Sequence, residues 1–326
     1  MSHLSKASNA ISATSVAMLT VDEASVGQRI DNFLTKTLKG VPKSHVYRIL
    51  RSGEVRVNKK RVDATYRLIE GDQVRVPPIR TSISDMPASQ HLKAVVNKFD
   101  NSILFEDECL LAIDKPAGFA VHGGSGVSRG VIEQLRLERP YAKFLELVHR
   151  LDRETSGVLM IAKKRTALVA LHEAIRSNKM DKRYLILVNG VWKDKKKHVV
   201  LGLQKHVSSS GERRVSVDED GQESETIFHL RKSFNEFTLL EAQLITGRTH
   251  QLRVQLAHLG YPIAGDDKYG DFPKNKLLQK MGLKRMFLHS AETAIKHPLS
   301  GEKLKLVAPL PNELQAFLDT LEQKMQ

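Results

Sequence analysis

Cysteine is nearly absent from this chain: Cys109 is the only one in 326 residues. An internal disulfide is therefore impossible, and zinc clusters built on four cysteines, or on two cysteines and two histidines, are excluded. A reducing cytoplasm is the expected compartment. Long apolar runs are missing as well. No stretch approaches the roughly 18–20 residues that a membrane-spanning helix needs, and no basic amphipathic helix with Trp or Phe anchors suggests binding at a membrane surface. The first twenty residues have no clear apolar core and carry Lys6 as their sole Lys or Arg. Residues 1–24 thus read as a disordered leader and not as a signal peptide. Acidic residues are in deficit: 37 Asp and Glu stand against 51 Lys and Arg, a net charge of +14. That excess points to a polyanionic partner, nucleic acid before membrane.

The charge is unevenly spread. Residues 27–78 hold 12 Lys and Arg against 5 Asp and Glu, half of the net total in about a sixth of the chain. Ile30, Phe33, Leu34 and Leu38 recur at helical spacing, which predicts a helix over Arg29–Lys39, ended by Gly40 and Pro42. Ser44 can cap a second helix carrying Val46, Ile49 and Leu50, stopped by Gly53. Alternating segments at Glu54–Val57 and Gln73–Val76 read as strands. The polar faces carry Lys43, Arg48, Arg51, Arg56, Lys59, Lys60 and Arg61. Residues 80–97 lack periodicity and read as a linker. It separates a small module (25–79) from a large domain (98–326).

The large domain is organised around His149-Arg150-Leu151-Asp152-Arg153-Glu154-Thr155-Ser156-Gly157. Apolar runs at Phe144–Val148 and Val158–Ala162 flank it and favour strand over helix. A loop between buried strands can present polar groups at a sheet rim. Here it presents one carboxylate, Asp152, between Arg150 and Arg153; a turn residue with two satisfied arginines is the plain alternative. Strands are expected at Ile103–Glu106, Cys109–Asp114, Lys182–Val188, Thr226–Leu230, Glu236–Leu244, Phe287–Ala291 and Leu304–Ala308. Helices are expected at Val131–Glu138, about 167–178 and about 311–323, with exposed hairpins over 195–223. Thr249 can cap a helix running to His258, with Leu252, Leu256 and Leu259 as its buried stripe. Gly126-Val127-Ser128-Arg129-Gly130 satisfies the hydrolase pattern G-x-S-x-G. It follows a glycine loop instead of a strand, which argues against a nucleophile elbow.

Several of these blocks resemble known families. His149–Gly157 is similar to the signature loop of the RluA-type pseudouridine synthases. So are Lys115-Pro116-Ala117-Gly118, ending at Val121-His122, and Thr246-Gly247-Arg248-Thr249-His250-Gln251-Leu252-Arg253 with its Gly260–Asp266 sequel. The run from Gln28 to Asn58, with Gly71-Asp72-Gln73-Val74, resembles the S4 RNA-binding domain. The resemblance covers residues 28 to about 320. It implies an α+β fold: a catalytic domain on a mixed, largely antiparallel sheet with flanking helices, plus an S4 module in front. It implies Asp152 as catalytic carboxylate, Tyr184 at the active site, and Leu252 beside the target base. Arg253 would pair with Asp152, with Arg248 as the other candidate for that pairing.

The implied reaction converts uridine to pseudouridine in large-subunit ribosomal RNA, free or in an assembly intermediate. It breaks the C1′–N1 bond, turns the uracil and joins C1′ to C5. No atom is added, so neither cofactor nor metal is expected. Asp152 would act as nucleophile or in ribosyl deprotonation, and a neighbouring arginine would keep it ionised in a buried site. Tyr184 would stack on the uracil or help remove the C5 proton. The base must leave its stack first, and Arg150 would fill the vacated space or hold a phosphate. The S4 module would grip RNA by its backbone through Lys43, Arg48, Arg51, Lys59 and Lys60. A monomer is expected. A non-catalytic RNA-binding or ribosome-assembly protein is the alternative class, and it would have no use for Asp152, Tyr184 and Arg253 in matching motifs.

Overall fold

The front helices form where the apolar spacing places them. α1 (Ile30–Thr37) buries Ile30 and Leu34, and α2 (Lys43–Arg51) buries Val46, Ile49 and Leu50. Both pack on a three-stranded antiparallel sheet of β1 (Ala17–Thr20), β2 (Arg56–Val57) and β3 (Gln73–Val76), ordered β1-β3-β2. Asn58 and Lys59 both take positive φ, 49° and 68°, in the tight turn that leaves β2, the geometry of a two-residue I′ turn. The structure is a computed structural model and describes residues 15–38, 40–79, 99–123, 129–207 and 213–325. The chain divides into two compact units, Met1–Val95 and Val96–Gln326.

The expected leader runs too far. Ala17–Thr20 pair with Gln73–Val76, and Val21 is fully buried in the small core. Apolar Leu19 and Val21 complete one face of that sheet, so the chain is ordered well before residue 25. Residues 1–14 of the leader and residues 80–97 of the expected linker lie outside the described residues.

In the second unit the described residues form an eleven-stranded sheet. Its path begins with β10 (Arg213–Val217), β9 (Lys196–Val207), β11 (Gln222–Ser233), β12 (Phe237–Leu244) and β8 (Asp181–Asn189). It continues through β13 (Leu288–Lys296), β7 (Ser156–Ala162), β5 (Leu110–Lys115) and β4 (Ile103–Glu106). β14 (Lys303–Val307) adds to β13, and β6 (Glu146–Leu147) adds to β7. Every pairing is antiparallel except β13 with β7, where His289 faces Ser156 and Ser290 faces Gly157 in parallel. The expected mixed, largely antiparallel sheet is thus what forms. The stretch read as exposed hairpins is more integral than expected. β9 and β11 are twelve residues each, and Val199, Leu203 and Val215 are buried.

Side-chain alternation along β8 assigns the two faces. Tyr184, Ile186 and Val188 join the larger core, with α3 (Val131–Glu138) and α5 (Gln251–His258) on the same side. Leu187 points oppositely, into a core shared with α6 (Phe272–Lys280) and α7 (Asn312–Gln323). α4 (Arg165–Arg176) buries Ala167, Leu168 and Leu171. Tyr184 therefore lies under α5, which decides where the site can form.

Candidate active site

Asp152 stands on a loop tied down from several directions. Val148 N–H donates to the Met160 carbonyl, and Met160 N–H donates to His149 Nε2 at 3.1 Å. Burial pushes the His149 imidazole down to about 3, so it is neutral and serves as a structural acceptor. Thr155 N–H closes the turn on the Asp152 carbonyl. The Lys115–Gly118 turn holds the other side. Gly118 N–H donates to the Arg153 carbonyl, and Arg153 Nε donates back to the Gly118 carbonyl at 3.1 Å. Lys115 is completely buried, and its Nζ donates to the carbonyls of Pro116, Phe119 and Arg153. Burial drives this ammonium down to about 7, with Glu154 and Asp152 pulling the other way.

The second wall is α5. Gln251 and Gln255 staple it to β11: Gln251 Nε2 donates to the Glu225 carbonyl, and Thr226 Oγ1 donates to Gln255 Oε1 at 2.7 Å. The helix starts at Gln251, and the position before it belongs to His250 in left-handed backbone (φ 54°), not to Thr249 as expected. The Thr246 hydroxyl instead donates to Gln251 Oε1, and Arg248 N–H donates there as well. These bonds turn Leu252 and Arg253 inward together, both buried.

Arg253 is the hinge of the site. Its Nη1 donates to Asp152 Oδ2 at 3.2 Å, while Nε and Nη2 grip both oxygens of Asp266 at 2.7 and 2.8 Å. Burial works against the guanidinium charge, but Asp266 and Asp152 outweigh it and its pKa is raised. Burial would raise the Asp266 pKa, yet Arg253 and the backbone N–H groups of Tyr269 and Lys268 bring it below the ordinary value. Asp152 itself remains a quarter exposed, open to a ligand. Arg248, the other candidate for the pairing, is exposed, and its Nε donates to the Glu223 carbonyl instead.

Asp152 lies on the boundary between two hollows. One, about 80 Å³, is lined by Arg150, Tyr184, Arg248, Leu252 and Leu288 among others. The other, about 610 Å³, is lined by His122, Arg150, Arg153 and Lys268 and continues past His250 and Arg253. Tyr184 is buried, which pushes its phenol up to about 12, so it stays protonated at neutral pH. Arg150 is exposed at the mouth of both hollows. In the first unit Lys43, Arg48, Arg51, Lys59 and Lys60 are all exposed, and Arg48 shares its charge with Glu54 at 3.3 Å.

Residues 109–258 match the model of the RNA pseudouridylate synthase family, and residues 28–74 match that of the S4 domain. The ribosomal large subunit pseudouridine synthase C of Haemophilus influenzae is 50% identical over 321 residues, 98% of this chain and 99% of that protein. This chain belongs to the RNA pseudouridylate synthase family. The Escherichia coli protein of the same description is 51% identical to the synthase over 309 residues, covering 94% of this chain and 96% of that one. Among solved structures, human RNA pseudouridylate synthase domain containing 4 matches with a TM-score of 0.55 and 26% identity, over 68% of this chain and 93% of that one.

Three groups at the site were not singled out by sequence. Asp266 ends the Gly260–Asp266 block, and its spacing from Arg253 carries no sign of the clamp. Lys115 belonged to a turn motif whose buried ammonium only the fold reveals. His250 stood in the motif with no role of its own, and the fold half-buries it with Nε2 3.9 Å from Asp152 Oδ1. Another cluster, Asp107 with Cys109 and His297, has three metal-ligand types within reach. His297 Nδ1 takes the Ser300 N–H, which leaves hydrogen on Nε2 for Asp107 at 2.7 Å. That bonding makes a clip between two hairpins.

Proposed function

We propose that the synthase isomerises uridine to pseudouridine at several positions of large-subunit ribosomal RNA, acting in the cytoplasm as a monomer with Asp152 as the catalytic carboxylate. The observation that carries this reading is the buried Arg253 clamp. One guanidinium is held rigidly by Asp266 and offers its remaining nitrogen to Asp152 at the edge of a hollow. A fixed positive charge beside a carboxylate in a water-poor site stabilises charge without reorganisation during the reaction. Asp152 then engages the sugar, either at C1′ or in removing a ribosyl proton. The freed uracil turns within the hollow floored by Leu252 and Tyr184. Tyr184 contributes its ring as a stacking surface and its hydroxyl near the C5 proton. Arg150, exposed at the mouth, fills the gap left by the flipped base or holds its phosphate. The names of the bacterial relatives support the substrate class.

The test is tritium release from uracil C5 of labelled large-subunit RNA. Wild type should release it, and Asp152→Ala should release none while binding RNA as before. Equal release by both would remove Asp152 from its role, and no release by either would favour a binding protein. The S4 unit supplies backbone affinity through its exposed lysines and arginines. Arg51→Glu should weaken RNA binding several-fold and flatten its salt dependence, with little effect on turnover at saturating RNA.

A further inference from the structure

His250 faces Asp152, and the reaction described above gives it no task. Its left-handed backbone is unusual for a residue with a side chain, and Tyr269 accounts for where the ring ends up. Tyr269 Oη accepts the Val215 N–H at 3.0 Å and lies 2.8 Å from His250 Nδ1. With the phenol as donor to Nδ1, the single imidazole hydrogen sits on Nε2. Burial lowers the His250 pKa against the pull of Asp152, in keeping with a neutral ring. The Tyr269 ring also packs on Arg253, whose guanidinium carbon is 5.2 Å from the ring centre. One tyrosine thus braces both groups that face the carboxylate.

His250 Nε2 lies 3.9 Å from Asp152 Oδ1, while Arg253 occupies Oδ2. That gap is too wide for a direct hydrogen bond, but one oxygen set about 2.8 Å from each side would fill it. The group matching both walls is a hydroxyl, which donates to the carboxylate and accepts from Nε2–H. On a nucleotide whose C1′ meets Asp152, the nearest hydroxyl is the ribose 2′-OH. We propose that His250 and Asp152 together bind the 2′-hydroxyl of the target nucleotide. His250 is then a specificity residue that reads ribose against deoxyribose, and Tyr269 is a positioning residue that holds it in the required tautomer. This inference rests on the isomerase reading.

The experiment uses a short RNA whose uridine the full-length enzyme is first shown to convert, and a twin with deoxyribose at that nucleotide alone. Equilibrium binding of both is measured for wild type, His250→Asn, His250→Gln and Tyr269→Phe. Binding is read on the converted form of each, pseudouridine and 2′-deoxypseudouridine, so the two RNAs differ only in the 2′-OH during the measurement. Wild type should bind the ribose form about 3- to 10-fold more tightly, the range of one net hydrogen bond. Asn tolerates left-handed backbone and can still accept from Tyr269, but it lacks the outer N–H. His250→Asn should therefore bind both RNAs equally, without losing melting temperature. Gln restores a donor near the Nε2 position and should recover part of the preference, while Tyr269→Phe should narrow it. No preference in wild type, or a wild-type ratio in His250→Asn, overturns the inference even where conversion is normal. Failure to convert any RNA removes the isomerase reading, and this one with it.

Discussion

Arg253 meets three demands that a lysine cannot. It bonds Asp266 through two nitrogens, reserves a third for Asp152, and does so almost fully buried. A lysine is a point charge with no planar fork. Arg253→Lys should lower turnover on the order of 100-fold, with RNA affinity nearly unchanged, as measured by single-turnover tritium release. A decrease of less than about threefold would show that the clamp is structural only. The arginine was legible from its motif, but its choice over Arg248 was not. Five positions separate the two, and only the backbone bonds that start α5 at Gln251 turn one inward and leave the other on the surface.

At the scale of elements, the site depends on β7 and β13 running in parallel. Gly157 makes this possible. Its φ is +107°, and a Cβ there would lie 2.2 Å from the Ser290 carbonyl oxygen. Both the backbone and the space reject a side chain. Gly157→Ala should cost roughly 3 kcal/mol or more in urea unfolding, because it combines strained backbone with overpacking. A cost below about 1 kcal/mol would mean that the strands separate freely. Most strands and helices were legible because periodicity carries them. α6 could have been found as well: Asp271 caps it by accepting Lys274 N–H, with Pro273 in the first turn. The cap of α5 was misplaced because Thr249 has the right chemistry, whereas the backbone reversal falls on His250.

For the whole molecule, the charge excess and the buried histidines set the response to solvent. Burial holds His149 at about 3, and it holds His289 at about 4. His289 bonds Ser156 across the β7–β13 seam and the Ala308 carbonyl just past β14. Both folded values lie below the ordinary 6.5. Between these limits the unfolded chain binds more protons, so stability rises with pH. The contribution is fully present above 6.5 and is lost as pH falls through about 4 and then 3. Urea midpoints should fall steeply from pH 6.5 downward, and His289→Gln should flatten the upper part of that slope. An unchanged slope in the variant would assign acid lability elsewhere.

The sequence by itself determined the family, the α+β class, the basic front module and the carboxylate on its loop. Those properties reside in local spacing and in short stretches of contiguous residues, where periodicity and motif act directly. Tertiary structure decided which arginine meets Asp152, that Asp266 braces it, that Lys115 anchors the loop from inside the core, and that His250 faces the carboxylate. These pairs lie from 13 to 101 residues apart. Whether such groups meet depends on sheet order and helix rotation, which are set by burial across the whole domain and not by any window of the chain.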